Sequence, residues 1–188
     1  MRTLVSFIAS MAAFAGGLPR VLTTDLEVNA PLEKAWKAWT TPEGVKTFFA
    51  KGCNIEPHVD GAYEILFSPD AKAGERGAEG MRILALEPMR RLAFTWNAPP
   101  KYPEIRAQRT MVIVEFNAVH GNRTLVRFTH TGWGEGHDWD QVYVYFDHAW
   151  NEIVLPRFRR AMEVGPLDWN NTPQLEPVAR TLQVGGTN

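Results

Sequence analysis

The sequence predicts an α+β domain in which a run of antiparallel strands is followed by one long helix near the C-terminal end. Three observations carry this. Between Cys53 and Thr131, alternating apolar segments are joined by turn residues. From Trp139 the apolar spacing changes to a helical period and holds for about 26 residues, stopping at Gly165-Pro166. Of the 188 residues, 45% are hydrophobic, including seven Trp, ten Phe and four Tyr, enough for one large ring-rich core.

Val21 to Val28 alternates as a first strand. Pro31 suits the first position of a helix whose inner face carries Leu32, Ala35, Trp36 and Trp39. Thr41-Pro42-Glu43-Gly44 opens a second short helix, with Thr41 as its cap and Val45, Phe48 and Phe49 turned inward. Six further strands come next: CNIEPHV, AYEILF, MRILALEP, RLAFTW, RTMVIVEFNA and RTLVRFTHT. Asp60-Gly61, Pro88-Met89-Arg90 and His120-Gly121-Asn122 supply turns between them. The polar, glycine-rich stretch 68–80 reads as a loop, and 99–103 as an extended one. Short joints make the sheet an antiparallel meander of seven strands. Gly132-Trp133-Gly134-Glu135-Gly136 ends the sheet. Asp138 and Gln141 have the spacing of a capping box for a helix over 139–164. Its apolar stripe is Trp139, Val142, Phe146, Trp150 and Ile153, and Pro156 is expected to kink it.

Three pieces are expected along the chain: a leader at 1–15, a domain at 20–164 and a tail at 165–188. The leader reading rests on Arg2, the apolar stretch from Thr3 to Ala15, and the small residues Ala13 and Ala15. It implies a periplasmic or secreted mature chain if cleaved, and a cytoplasmic one otherwise. The stretch is too short to cross a membrane, so no stable insertion of the mature chain is expected. With 20 Lys+Arg against 21 Asp+Glu the net charge is −1, a poor match to nucleic-acid phosphates. The single cysteine, Cys53, excludes an intramolecular disulfide and any CxxC zinc or redox motif.

With the elements in order, the chain resembles the helix-grip superfamily (START, Bet v 1-like, SRPBCC). Within it, the sequence is similar to the branch named after the activator of the heat-shock-protein-90 ATPase. The matching residues are Ala30-Pro31, Glu33, Trp36, Thr41 to Gly44, Asp60-Gly61, Glu87-Pro88, Arg91-Leu92 and Phe94-Thr95-Trp96. Phe128 to Gly132 and Trp150 complete them. Two positions depart from the branch. Phe48-Phe49 stands where a Trp-led aromatic pair is usual, and Ala149 where a glycine usually precedes the helix Trp. The resemblance implies a helix-grip fold, a curved seven-stranded antiparallel sheet wrapped around the last helix, with two short helices after the first strand. It also implies an enclosed cavity, here lined by Ile65, Phe67, Trp96, Val112, Val114, Phe128, His130, Trp133, Phe146 and Trp150.

Catalytic groups are sparse. There is no GxSxG elbow, and Cys53 has no defined base nearby. GWGEG is not in a βαβ unit, which argues against dinucleotide binding. His130, His137, Asp138, Asp140, Asp147 and His148 lie close in sequence but lack metal-ligand spacing, so neither metal nor cofactor is expected. His130 shares a strand face with Val126 and Phe128 and is the best catalytic candidate. It either orients a polar ligand group or acts as acid or base at the cavity mouth, or it is a structural histidine satisfied by loop backbone or a tryptophan. Trp133 is either a gate over the cavity or an anchor for its loop. Three functions fit these features. The first is binding of a hydrophobic or aromatic small molecule; the second is a cyclase-, aromatase- or hydratase-like enzyme using the same cavity. The third, co-chaperone action, is suggested only by the branch name.

Overall fold

Strand β1 (Leu22–Val28) buries every second residue and pairs antiparallel with the last of the described strands, so the two ends of the strand region meet. The computed structural model that shows this describes residues 20–179; the expected leader, and positions 180–188 of the expected tail, lie outside the described residues. After β1 come two short helices, α1 (Leu32–Thr40) and α2 (Pro42–Lys46). The Thr41 hydroxyl accepts from the Gly44 N–H at 3.0 Å, capping α2. Gly44 is where α2 crosses α1: a Cβ there would lie 2.1 Å from the Lys37 carbonyl oxygen. No other residue fits without separating the two helices.

The remaining strands are β2 (Gly52–Ile55), β3 (Tyr63–Leu66), β4 (Gly77–Ala78), β5 (Ile83–Glu87), β6 (Arg91–Trp96), β7 (Thr110–Val119) and β8 (Arg123–Thr131). They form two antiparallel sheets, ordered β1-β8-β7-β6-β5 and β2-β3-β4, joined by a bridge between Ala62 and Arg82. The described fold is therefore α+β with eight strands in two sheets, rather than one sheet of seven. The division falls where Asp60 takes a φ of 68° and the β5–β6 register shifts between Ile83 and Ala85. Both bend the chain sharply. The additional strand is β4, two residues within the stretch expected as loop. It has no alternation to betray it. The Glu79 carboxylate accepts from the N–H groups of Gly74 and Arg76 and from Arg76 Nε, and this holds the β4 turn against β3.

The outward face of the large sheet is charged. Arg127 grips both oxygens of Asp25 at 2.7 and 2.8 Å, and Arg123 pairs with Glu27. Such cross-strand pairs mark the solvent face, leaving the opposite face to the core. One more helix, α3 (Pro103–Ala107), begins at the end of the expected 99–103 loop and runs beyond it, with Pro103 in its first turn.

The final helical run is α4 (His137–His148), a π-helical turn (Ala149–Val154) and α5 (Leu155–Glu163). The expected capping box does not form. The helix begins one residue before Asp138, after Gly136 at φ 106°, and no side chain caps it. Asp138 and Asp140 sit in the first turn, where their charge suits the helix dipole. Pro156 is accommodated by the widened π turn. Leu155 N–H reaches back to the Trp150 carbonyl, five residues away. In that register the N–H of residue 156 would bond the Asn151 carbonyl, but proline has none. The backbone N–H of Val178 takes the vacant place, donating to Asn151 O at 2.8 Å.

That bond belongs to a strap formed by 165–179. Leu167 N–H donates to Thr47 O, Trp169 Nε1 donates to Lys46 O, and Arg157 lies over the Trp169 ring. Leu167 and Val178 are buried. The strap ties α5 to the end of α2 and closes the backbone of the long helix where it is weakest.

Candidate functional site

Between the large sheet and the long helix lies a continuous stack of rings. Trp39 meets Phe48, Phe49 and Phe158 at centroid separations of 5.1, 5.4 and 5.6 Å. Phe49 stacks on Trp96 at 5.8 Å, Trp96 meets Trp150 at 5.3 Å, and Trp150 meets Phe128 at 4.6 Å. Offset and edge-on contacts of this kind are the favoured aromatic geometries. Ile65, Val112, Val114, Phe128 and Trp150 are buried within or against this stack. The aromatic pair Phe48-Phe49 is fully buried and stacked, so the departure from a Trp-led pair is absorbed by packing.

His130 sits at the end of the stack, on β8, and is fully buried. Both of its ring nitrogens are engaged. The Trp150 indole N–H donates to Nδ1 at 2.9 Å, and Nε2 lies 2.8 Å from the Thr110 hydroxyl. An indole N–H can only donate, so Nδ1 must be the unprotonated nitrogen and Nε2 carries the hydrogen. The Thr110 hydroxyl then passes its own hydrogen to Trp96 O at 3.3 Å. The direction of every bond in the chain Trp150–His130–Thr110–Trp96 is thereby fixed. Trp133 leans over His130 with ring centroids 4.1 Å apart, and its Nε1 donates to the His130 carbonyl at 3.0 Å.

Burial pushes the His130 imidazole well below its ordinary value, so it is neutral in the folded chain. Neutrality sets the sign of the pH effect. Below about pH 6.5 the unfolded chain takes up a proton that the native chain refuses, so the contribution to stability is full above that pH and shrinks below it. Acidification from pH 6.5 to 5.5 is expected to cost about 1 kcal/mol through this group alone. Denaturant midpoints compared between the native chain and His130→Gln across that range check it. A variant with the same acid slope would remove His130 as the cause.

A cavity of about 150 Å³ opens at the rim, where β4, the end of β6, the 97–100 loop, α3 and α4 converge. Its apolar walls are Phe67, Trp96, Ala98, Pro99, Tyr145 and Phe146, and its polar groups are Asn97, Arg76, Arg106 and the outer Glu75. Phe67, Trp96 and Phe146 are thus the three expected cavity residues that meet at an open space. Ile65, Val112, Val114, Phe128, His130 and Trp150 lie in the packed interior. Trp133 is a partly buried cover on His130. No pattern in the sequence singles out Tyr145, Asn97 or Arg106. Arg106 lies on a short helix inside an expected loop region, and Tyr145 is off the apolar stripe of α4.

A larger groove of about 540 Å³ runs between α1, α2 and the end of α5, past Lys34, Lys37, Ala38, Gly44 and Met162. Cys53 is half-buried with its Sγ 3.7 Å from Pro42 O, and burial raises its thiol. Among the described residues, no three His, Cys, Asp or Glu side chains gather to hold a metal, and no helix is long and apolar enough to cross a membrane. The glycines of 132–136 have structural reasons: a Cβ on Gly134 would lie 2.3 Å from Trp139 Nε1.

Residues 29–163 match the family described as Activator of Hsp90 ATPase homolog 1-like protein. The chain belongs to this family. No curated protein matches it. A solved protein of Mesorhizobium loti shares 22% identity and superposes with a TM-score of 0.58, over 76% of this chain and 93% of that one. The Aha1 dimer of Colwellia psychrerythraea gives 20% identity and a TM-score of 0.58, over 78% and 98%. An Hsp90 activator of Plasmodium falciparum gives 18% and 0.54, over 71% and 91%. At these identities the likeness establishes a shared fold. The matching segment Thr41 to Gly44 is explained here by the Thr41 cap and the α1–α2 contact at Gly44, so that part of the resemblance is architectural.

Proposed function

We propose that this member of the Activator of Hsp90 ATPase homolog 1-like family binds a small apolar or aromatic molecule at the rim cavity. The observation behind this reading is the convergence there of Phe67, Trp96, Tyr145 and Phe146 on an open space. Phe67 and Tyr145, both lining that space, stay 44% and 45% exposed, which leaves apolar ring surface for a ligand to cover. The same geometry supports binding over cyclase- or hydratase-like catalysis. His130, the best acid–base candidate, is fully buried and has both ring nitrogens committed to protein partners. Chaperone ATPase activation rests on the family description alone, and fold analogy is a weak warrant for activity. The mature chain is proposed to be exported after loss of 1–15.

Native mass spectrometry of protein recovered from its producing cells tests both parts. A retained mass of one small molecule and a chain shortened by the leader are expected. A full-length chain rejects export. An empty protein that also takes up no single-ring aromatic at millimolar concentration rejects binding.

A further inference from the structure

The rim cavity is apolar on most of its wall but carries one unusual polar group. Arg106 reaches in from α3 and is half-buried. Its guanidinium donates to the backbone carbonyls of Ala98, Gly74 and Gly77. With its amide oxygen turned toward Arg106, Asn97 accepts from Nη1 and Nη2 at 3.2 and 3.3 Å. All of these acceptors are neutral. Among the described residues no carboxylate lies within ion-pair distance of Arg106. Glu79, the acidic group whose field it feels, is already bound to Arg76 and to two backbone N–H groups, while Arg109 adds a second positive charge nearby. Glu75 stands at the outer lip, exposed, where solvent screens it. The guanidinium is thus partly removed from water and held by neutral acceptors alone, with no anion beside it. Burial accordingly pulls Arg106 below the usual arginine value, although it stays charged. Its Nε is the one guanidinium nitrogen with no acceptor among the described residues, and it is not sealed from solvent.

Size narrows the ligand further. A cavity of about 150 Å³ matches the space known to hold one benzene-sized molecule, whereas drug-sized ligands occupy roughly 300–1,000 Å³. We propose that the rim cavity takes a single-ring aromatic carboxylate, its ring between Trp96, Phe146 and the Phe67–Tyr145 lip and its carboxylate toward Arg106. A charge-assisted bond to a guanidinium is about twice as strong as a neutral one, so the carboxylate fixes orientation as well as affinity.

This inference rests on the binding reading above, and the test separates the two. Benzoate, benzyl alcohol and acetate are titrated by ligand-observed NMR against the full chain, Arg106→Gln, Phe67→Ala and Tyr145→Ala. On the native chain, benzoate is expected to bind about tenfold more tightly than either benzyl alcohol or acetate. Arg106→Gln is expected to abolish the preference for benzoate over benzyl alcohol while both still bind. The two lip variants, at exposed positions, should weaken both ring compounds equally. Arg106 also staples β4 to the 97–100 loop, so the comparison of the two probes on the native chain stands even if Arg106→Gln fails to fold. Equal binding of benzoate and benzyl alcohol overturns the carboxylate assignment and leaves the binding reading intact. Equal binding of acetate and benzoate overturns the role of the ring. Binding of none of the three overturns both.

Discussion

Replacing His130 with alanine is expected to lower the unfolding free energy by about 3 kcal/mol. Two losses combine. The imidazole fills space among Trp133, Phe146 and Trp150, at centroid distances of 4.1, 5.1 and 5.9 Å, and its removal opens a void there. The Trp150 indole N–H and the Thr110 hydroxyl also lose their partners in a place water does not reach. An unsatisfied buried donor costs roughly 1–3 kcal/mol by itself. For a domain of this size the melting temperature should drop by about 6–12 °C. His130→Gln should recover part of the loss, because an amide oxygen can accept from Trp150 while its NH₂ donates to Thr110. A loss below about 1 kcal/mol in the alanine variant, read by denaturant unfolding, would show that the chain of bonds is slack.

The second large effect is at Gly44. Helix propensity alone says that Gly44→Ala stabilises α2, by up to about 1 kcal/mol. The contact with α1 says the opposite. The new methyl would lie 2.1 Å from Lys37 O and 2.6 Å from the Ala38 Cα, both backbone atoms that cannot swing aside. The helices must part, and with them Val45, Phe48 and Phe49, all fully buried under the Trp39 ring stack. Overpacking typically costs 1–3 kcal/mol, and a 2.1 Å approach to backbone puts this site at the upper end, so a net loss of about 2 kcal/mol is expected after the propensity gain. A lower urea midpoint at unchanged slope is the signature. A midpoint that rises would mean the crossing is looser than the geometry says.

Much of the fold was legible in the sequence because its signals are local. The Thr41 cap, the Asp60-Gly61 turn and the alternation through β6 to β8 each depend on neighbours a few residues apart. The parts that were not legible depend on distant partners. Strand β4 exists because Glu79 organises a turn, and a two-residue strand has no period to detect. The capping box failed because Asp138 lies inside the first turn, two residues past the cap at Gly136, a difference that spacing alone does not resolve. At the site, parity correctly put His130 on the inward face of β8, beside Phe128. It did not say how far the rings from α1, α2 and the long helix would fill the interior, which leaves the open space at the rim. Arg106 was invisible for a related reason: its carbonyl partners come from Gly74, Gly77 and Ala98, up to 32 residues away.

The strap from 165 to 179 changes what counts as the folding unit. The family match ends at 163, before Leu167 and Val178 reach their buried positions and before Val178 supplies the hydrogen bond that Pro156 withholds from Asn151. A fragment trimmed to the matching span would therefore keep every signature residue yet lose the piece that splints its longest helix. Measurements of ligand affinity on such a fragment would confuse a weakened scaffold with a weak site. The evolutionary boundary and the mechanical boundary of this domain fall at different residues.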